Sequence, residues 1–130
     1  MSNEKNTPAI IDPEEVEVAD AEAVTSPDTY LHTFSKPFSY EGNTYKELFF
    51  DWGSLTAEDS LAIENECAAI GKTVLVPEIS GEYMIRMAVR ACVTVIDGRR
   101  LGVDAFKKMP LGDYNRIRGR ARSFLLRSGL

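Results

Sequence analysis

The sequence contains few of the residues with which metalloproteins bind metal ions and many hydrolases carry out catalysis. Its 130 residues include two cysteines and one histidine, His32. His32 has no Cys or His partner at metal-ligand spacing, so we do not expect a metal site. A single histidine also removes most Ser/His and Cys/His nucleophile schemes. We expect Cys67 and Cys92, which lie in apolar stretches typical of helices, to be small buried residues, with a disulfide or redox role as the alternative.

Phosphate-binding and hydrolase motifs are absent as well. The chain has no G-x-x-x-x-G-K-[ST], G-x-G-x-x-G, G-x-S-x-G or H-E-x-x-H motif. Its carboxylate pairs, such as Glu64 and Glu66, do not face each other on a helix. These absences favour a non-enzymatic protein without a cofactor. No apolar run approaches the ~20 residues of a membrane span, and the first residues lack the pattern of a secretory signal, so we expect no membrane contact and a cytoplasmic location.

Charge is distributed unevenly along the chain. Residues 1–28 carry eight acids, one base and three prolines but no aromatic residue. Such a segment buries too little apolar surface to offset its ordering entropy, so the sequence predicts a flexible acidic tail over 1–28. The remaining chain, 29–130, has 14 bases and 12 acids and enough apolar residues for one domain.

The bases concentrate near the end of the chain. Residues 99–127 hold nine bases and two acids. Within the helix predicted over about 111–127, arginines flank an apolar stripe on both sides. Four of them are candidate partner-binding residues: Arg116, Arg118, Arg120 and Arg122. Three interpretations stay open: a solvated basic flank, a docking surface for an acidic or helical protein partner, and phosphate contacts on nucleic acid, which the net charge of −5 makes less favoured.

The hydrophobic pattern predicts a small α+β domain. Two segments rich in aromatic and β-branched residues, 30–40 and 43–51, flank Glu41-Gly42 and predict a β-hairpin. Helical periodicity then predicts three main helices: one after Thr56, one from Ser80 to about Ile96, and the last one after Pro110. Since a lone hairpin is marginal in water, it should pack on the helices.

Two aromatic residues of the second strand are further candidates for partner binding. Strand alternation places Leu48, Phe50 and Trp52 on one face and Tyr45 and Phe49 on the other. Tyr45 and Phe49 then either project away from the helices as a partner surface, or are covered by the chain or by self-association.

Short motifs follow one another in a fixed order between about residues 36 and 125. They are Lys36-Pro37, Tyr40-Glu41-Gly42-x-x-Tyr45-x-Glu47-Leu48, Leu55-Thr56-x-x-Asp59, Pro77-Glu78-x-x-x-x-Tyr83 and Asp113-Tyr114…Phe124-Leu125. This ordered series resembles the phage tail assembly chaperone family. The acidic segment 1–28 and the basic segment 97–108 are departures from the family's pattern.

The resemblance implies a non-enzymatic role in the host cytoplasm. Members of the family bind the tape measure protein, a very long helical protein, keep it soluble, and help tail tube subunits assemble around it. They are absent from the mature virion. The expected partner is therefore the tape measure protein, with the tail tube protein and a second copy of this chain as further possibilities. The alternative is a small nucleic-acid-binding or regulatory module that uses the arginine-rich helix.

Overall fold

The computed structural model describes residues 28–129, which form a small α+β domain. The predicted acidic tail thus lies outside the described residues, apart from Asp28. The four strands are β1 (Thr29–Tyr40), β2 (Asn43–Asp51), β3 (Val95–Ile96) and β4 (Arg99–Arg100). The four helices are α1 (Ala57–Ala69), α2 (Gly81–Ala91), α3 (Val103–Lys107) and α4 (Leu111–Gly129), with short 3-10 turns at Trp52–Ser54 and Pro77–Ile79.

The predicted hairpin is confirmed. β1 and β2 pair antiparallel, and Tyr40 lies opposite Asn43. The two residues between them, Glu41 and Gly42, have φ of 49° and 84°. Positive φ at both central positions is the type I′ geometry, whose twist matches that of the flanking strands.

A register irregularity interrupts the hairpin and changes the face on which Tyr45 lies. Thr33 pairs with Glu47 and Phe38 with Tyr45, so four residues of β1 bulge against one residue of β2. Pro37 lies in this bulge, where a residue that cannot donate a backbone hydrogen bond to the ladder is tolerated. The bulge breaks the two-residue alternation of β2, so Tyr45 is buried on the same face as Leu48 and Phe50. Of the two interpretations left open for the candidate partner-binding residue Tyr45, projection away from the helices is therefore wrong and coverage by the chain is correct.

The predicted helix starts are confirmed by their capping contacts. The Asp59 carboxylate accepts hydrogen bonds from the Thr56 backbone N–H at 2.8 Å and from the Thr56 hydroxyl at 3.2 Å. The Ser80 hydroxyl accepts one from the backbone N–H of Tyr83 at 3.1 Å. These contacts satisfy N–H and hydroxyl groups that would otherwise face solvent at a helix start.

The second helix ends earlier than predicted. Helix α2 stops at Ala91 and not near Ile96, because the following β-branched residues form the first strand of a small hairpin. Asp97 and Gly98 have φ of 54° and 74° and connect β3 to β4. An Asp-Gly pair that follows β-branched residues is a hairpin signal. Here the pair turns the chain between β3 and β4 and does not end a helix. The Arg100 guanidinium donates to the Cys92 and Arg90 carbonyls at the end of α2.

The hydrophobic core lies between the inner face of the first hairpin and the helices. The rings of Phe50 and Trp52 stack at 5.2 Å between centroids, and Phe106 of α3 meets Phe50 edge-on at 6.1 Å. Ile117 and Ala121 of α4 are fully buried against this cluster. The hairpin therefore packs on the helices, as the sequence predicts.

Candidate partner-binding surfaces

Three exposed apolar side chains form a row across the outer face of the hairpin. Leu31 of β1 lies directly opposite Phe49 of β2. Cys92 forms a bridge with Phe50, and the Val93 N–H donates to the Phe49 carbonyl at 2.9 Å, so Val93 lies beside Phe49 on its other side. Leu31, Phe49 and Val93 are 51%, 40% and 44% exposed. We call these three residues the hairpin patch; at the usual strand spacing it is roughly 10 Å wide.

Carboxylates flank the hairpin patch along β2. Glu47 and Asp51 lie two residues before and after Phe49, which places them on the same face of the strand. Their β1 neighbours are the uncharged Thr33 and Thr29. The outer face of the hairpin is thus an apolar row bordered by negative charge, which complements an apolar helix face bordered by Lys or Arg. The expectation that Phe49 points away from the helices is confirmed.

A buried polar network joins the first strand to the last helix. The His32 Nε2 atom lies 2.9 Å from Asp113 Oδ1, and the Tyr30 hydroxyl lies 2.8 Å from His32 Nδ1. The same carboxylate oxygen accepts from the Ser35 backbone N–H at 3.2 Å and from the Arg116 guanidinium at 2.7 Å. A carboxylate can only accept, so the neutral imidazole carries its proton on Nε2 and accepts from Tyr30.

The protonation of His32 is set mainly by burial. Burial lowers the pKa of His32 below 6.5, the Asp113 carboxylate opposes this effect, and the Arg116 charge adds to it. The imidazole is fully buried and all its polar atoms have partners inside the fold. The geometry supports a structural role, because the network ties α4 to β1. Sequence reasoning considered His32 only as a metal ligand or as part of a nucleophile scheme and missed this pairing, since nothing in the sequence connects residues 32 and 113.

The structure separates the four predicted arginines into two pairs. Arg116 donates to Asp113 and to the Ser35 hydroxyl, the latter at 3.3 Å, and the Arg120 guanidinium lies 4.4 Å above the Tyr30 ring. Both therefore contact β1 and take part in holding the fold together. Arg118 and Arg122 lie on another side of α4, four residues apart, and both are half-buried. The arginines lie on two flanks of α4, as the sequence predicts. The flank that holds Arg116 and Arg120 faces β1.

A second apolar surface lies between α2 and the start of α4. It is a cleft of about 500 Å³ whose apolar lining comes from Ile85, Phe106, Met109, Leu111 and Tyr114. Leu111 stands at its rim and is 72% exposed. Burial raises the pKa of Tyr114, and the Glu82 carboxylate adds to this rise. Glu82 and Lys107 also line the cleft, so it can hold one large apolar side chain between two opposite charges.

The two cysteines are buried thiols. Cys67 and Cys92 are both inaccessible, and burial raises the pKa of each thiol above 9.0. A thiol held in its neutral form is a poor nucleophile. The expectation that both are small buried residues is confirmed.

Residues 28–129 contain no cluster of His, Cys, Asp or Glu that could hold a metal ion. Nor does this part of the chain include a helix with the length and apolar character needed to cross a membrane. Comparison with protein-family models, with curated proteins and with solved structures finds no match to this chain. The candidate surfaces described above therefore rest on the geometry of the chain itself.

Proposed function

We propose that this protein is a non-enzymatic tail assembly chaperone. In this proposal it binds the tape measure protein in the host cytoplasm, keeps that protein soluble, promotes tail tube assembly around it, and is absent from the mature virion. The observation that carries the proposal is the hairpin patch, an exposed apolar row bordered by Glu47 and Asp51. The ordered motifs between residues 36 and 125 add the family resemblance.

The hairpin patch has the properties that such a chaperone needs. A long helical client exposes apolar stripes until the tube surrounds it. A small patch of three side chains offers modest affinity per copy, which allows tube subunits to displace the chaperone. Many copies along one client still cover it, because its repeated stripes offer many sites. A fixed strand pairing holds the patch in place, so binding requires little ordering of this surface.

Co-expression with a tape measure protein, the client that the proposal names, tests the proposal. We expect the client to aggregate alone and to become soluble and co-purify with this chain. A client that is soluble alone, or one that stays insoluble without any association, would contradict the chaperone function. This readout does not depend on knowing which surface binds.

Substitution of Phe49 then tests the surface. Phe49→Asp adds a third carboxylate to the patch and should reduce recovery of the client at least tenfold, because it removes the central apolar contact. Leu75→Asp is the matched control: Leu75 is 86% exposed and lies in the connection between α1 and α2. Loss of binding in Leu111→Asp but not in Phe49→Asp would move the binding site to the cleft.

The arginine-rich helix supports the alternative, a small nucleic-acid-binding module. Nine bases against two acids in residues 99–127 are the feature that favours it. It predicts binding of DNA or RNA that weakens steeply with salt and is lost in Arg118→Ala/Arg122→Ala. Because Arg116, Arg120 and Arg100 already have contacts within the fold, fewer cations of this segment project fully into solvent.

A further inference from the structure

The cleft between α2 and the start of α4 has an apolar floor and a polar rim. Its lining residues Ile85, Phe106 and Met109 are buried, whereas Lys107 and Leu111 are exposed. The volume of about 500 Å³ lies within the range of pockets that hold a ligand. Apolar residues at the centre and polar ones at the edge are the usual arrangement of a protein–protein contact.

The charge around the cleft that the fold leaves unpaired is positive. Among the lining residues the only carboxylate is Glu82, and it already accepts from the Arg86 guanidinium. Arg118 follows Tyr114 by one turn of α4 and is close enough to lower the pKa of the Tyr114 hydroxyl, against the effect of burial. In the part of the chain that the structure describes, neither Lys107 nor Arg118 has a partner in an ion pair or a side-chain hydrogen bond. A ligand in the cleft therefore meets two cations that are free to pair with it.

Three further groups favour an anion at the same place. Helices α2 and α4 begin at Gly81 and Leu111, and both residues line the cleft. The first N–H groups of each helix have no acceptor within that helix and carry a partial positive charge. The Tyr114 hydroxyl forms no hydrogen bond with another described residue, so it is available to donate to a carboxylate. The cleft thus combines an apolar floor with several groups that attract a negative charge.

We propose that this cleft docks a segment of a partner protein in which an acidic residue lies beside large apolar residues. The apolar side chains cover the floor, and the carboxylate meets Lys107 and Arg118. Leu111 at the rim is 72% exposed, so a peptide segment that extends over the rim buries more apolar surface than a small molecule confined to the floor.

The cleft and the hairpin patch differ in their residues and in the charge at their borders. Glu47 and Asp51 border the hairpin patch, whereas Lys107 and Arg118 lie at the border of the cleft. The two surfaces therefore select partners of opposite charge. The docking proposal goes beyond the chaperone function, and its test does not require a tape measure protein.

Two short peptides of opposite charge test the proposal. The acidic probe is Gly-Glu-Leu-Phe-Glu-Gly and the basic probe is Gly-Lys-Leu-Phe-Lys-Gly, both acetylated and amidated. In NMR titrations of the isotope-labelled full chain at low salt, we expect the acidic probe to shift the amide signals of Leu111 and Tyr114. It should bind there at least fivefold more tightly than the basic probe. Unchanged signals at these residues, or tighter binding of the basic probe, would overturn the proposal.

Reversal of the two cations tests their role. Lys107→Glu/Arg118→Glu should lower the affinity for the acidic probe at least tenfold and raise the affinity for the basic probe. The matched control, Lys36→Glu/Lys72→Glu, makes the same change in net charge at two exposed positions outside the cleft. An equal loss in this control would show that only net charge matters and would contradict the proposal.

Other occupants of the cleft would give different results. If the amide signals of Leu111 and Tyr114 shift with protein concentration when no probe is present, a second copy of this chain covers the cleft and the proposal is wrong. Octanoate carries an apolar chain and a carboxylate without a peptide, and we expect it to bind more weakly than the acidic probe. Equal or tighter binding of octanoate would make the cleft a small-molecule site and would also overturn the proposal.

Discussion

His32 Nε2 lies 2.9 Å from Asp113 Oδ1, and both side chains are buried although 81 residues separate them in the sequence. The pair joins the first strand of the domain to its last helix. It also sets the position of α4 relative to the hairpin, because Arg116 and the Ser35 N–H meet the same carboxylate oxygen. The arrangement of the arginines on the surface thus depends on one buried carboxylate.

Replacement of that carboxylate should destabilise the domain strongly. Asp113→Ala leaves the His32 Nε2–H and the Ser35 N–H without their acceptor, so we expect a loss of about 3 kcal/mol in the free energy of unfolding. Urea unfolding followed by the fluorescence of Trp52, the only tryptophan, measures it. Asp104→Asn, at an exposed position, is the control and should change stability by less than about 0.5 kcal/mol. A small effect in Asp113→Ala would show that the network does not hold α4.

Stability should fall as the pH drops below 6.5. Burial lowers the pKa of His32 in the folded state, so the unfolded chain takes up the proton first. The contribution of neutral His32 is present above pH 6.5 and is lost as the pH falls through 6.5 toward the lowered pKa. We expect the free energy of unfolding to be lower at pH 5.5 than at pH 7.5. In His32→Gln this difference should shrink, whatever the stability of the variant.

The direction of the pKa shift of His32 can also be measured directly by NMR. Only one imidazole signal titrates in the NMR spectrum of this chain, because His32 is its only histidine. We expect the midpoint of this titration to lie below pH 6.5, because burial lowers the pKa of His32. A midpoint above 6.5 would mean that the Asp113 charge outweighs burial, and stability would then increase toward acidic pH.

Two arginines of α4 should respond differently to truncation. Arg116 donates to the buried Asp113 carboxylate, so Arg116→Ala should cost about 1 kcal/mol of unfolding free energy even though the side chain is half exposed. Arg118→Ala should cost less than about 0.5 kcal/mol, as expected for a surface position. Thermal unfolding of both variants under one condition compares them. Equal costs would contradict the division of the arginines into two pairs.

Two glycines should give opposite effects when changed to alanine. Gly119 lies inside α4 with open space around its Cα, so Gly119→Ala should stabilise the domain by about 0.5–1 kcal/mol. Gly98 has φ of 74° in the β3–β4 turn, where an alanine is strained, so Gly98→Ala should destabilise it by about 1 kcal/mol. Both positions have open space for a Cβ, which makes the backbone conformation the only difference tested. Stabilisation by Gly98→Ala would contradict the turn geometry.

Local signals in the sequence predicted most of the elements. The turn residues Glu41-Gly42 and the caps Thr56 and Ser80 act over a few residues, so they can be identified without the fold. The exposed position of Phe49 follows from strand alternation. The second hairpin was missed because Asp97-Gly98 ends a helix as readily as it turns a hairpin. Only the β-branched residues before it favour the strand.

What the sequence determined by itself is the α+β class, the hairpin, the helix starts and the separation of an acidic segment from a basic one. Tertiary structure alone decided three matters. The bulge at Pro37 placed Tyr45 in the core, packing of α4 on β1 joined His32 to Asp113, and the bridge from Cys92 to Phe50 completed the hairpin patch with Val93. The last two depend on residues brought together across long stretches of chain, and the first depends on a register shift within the hairpin. Periodicity shows none of them, because it reports only which face of an element is apolar, not its register or which element covers it.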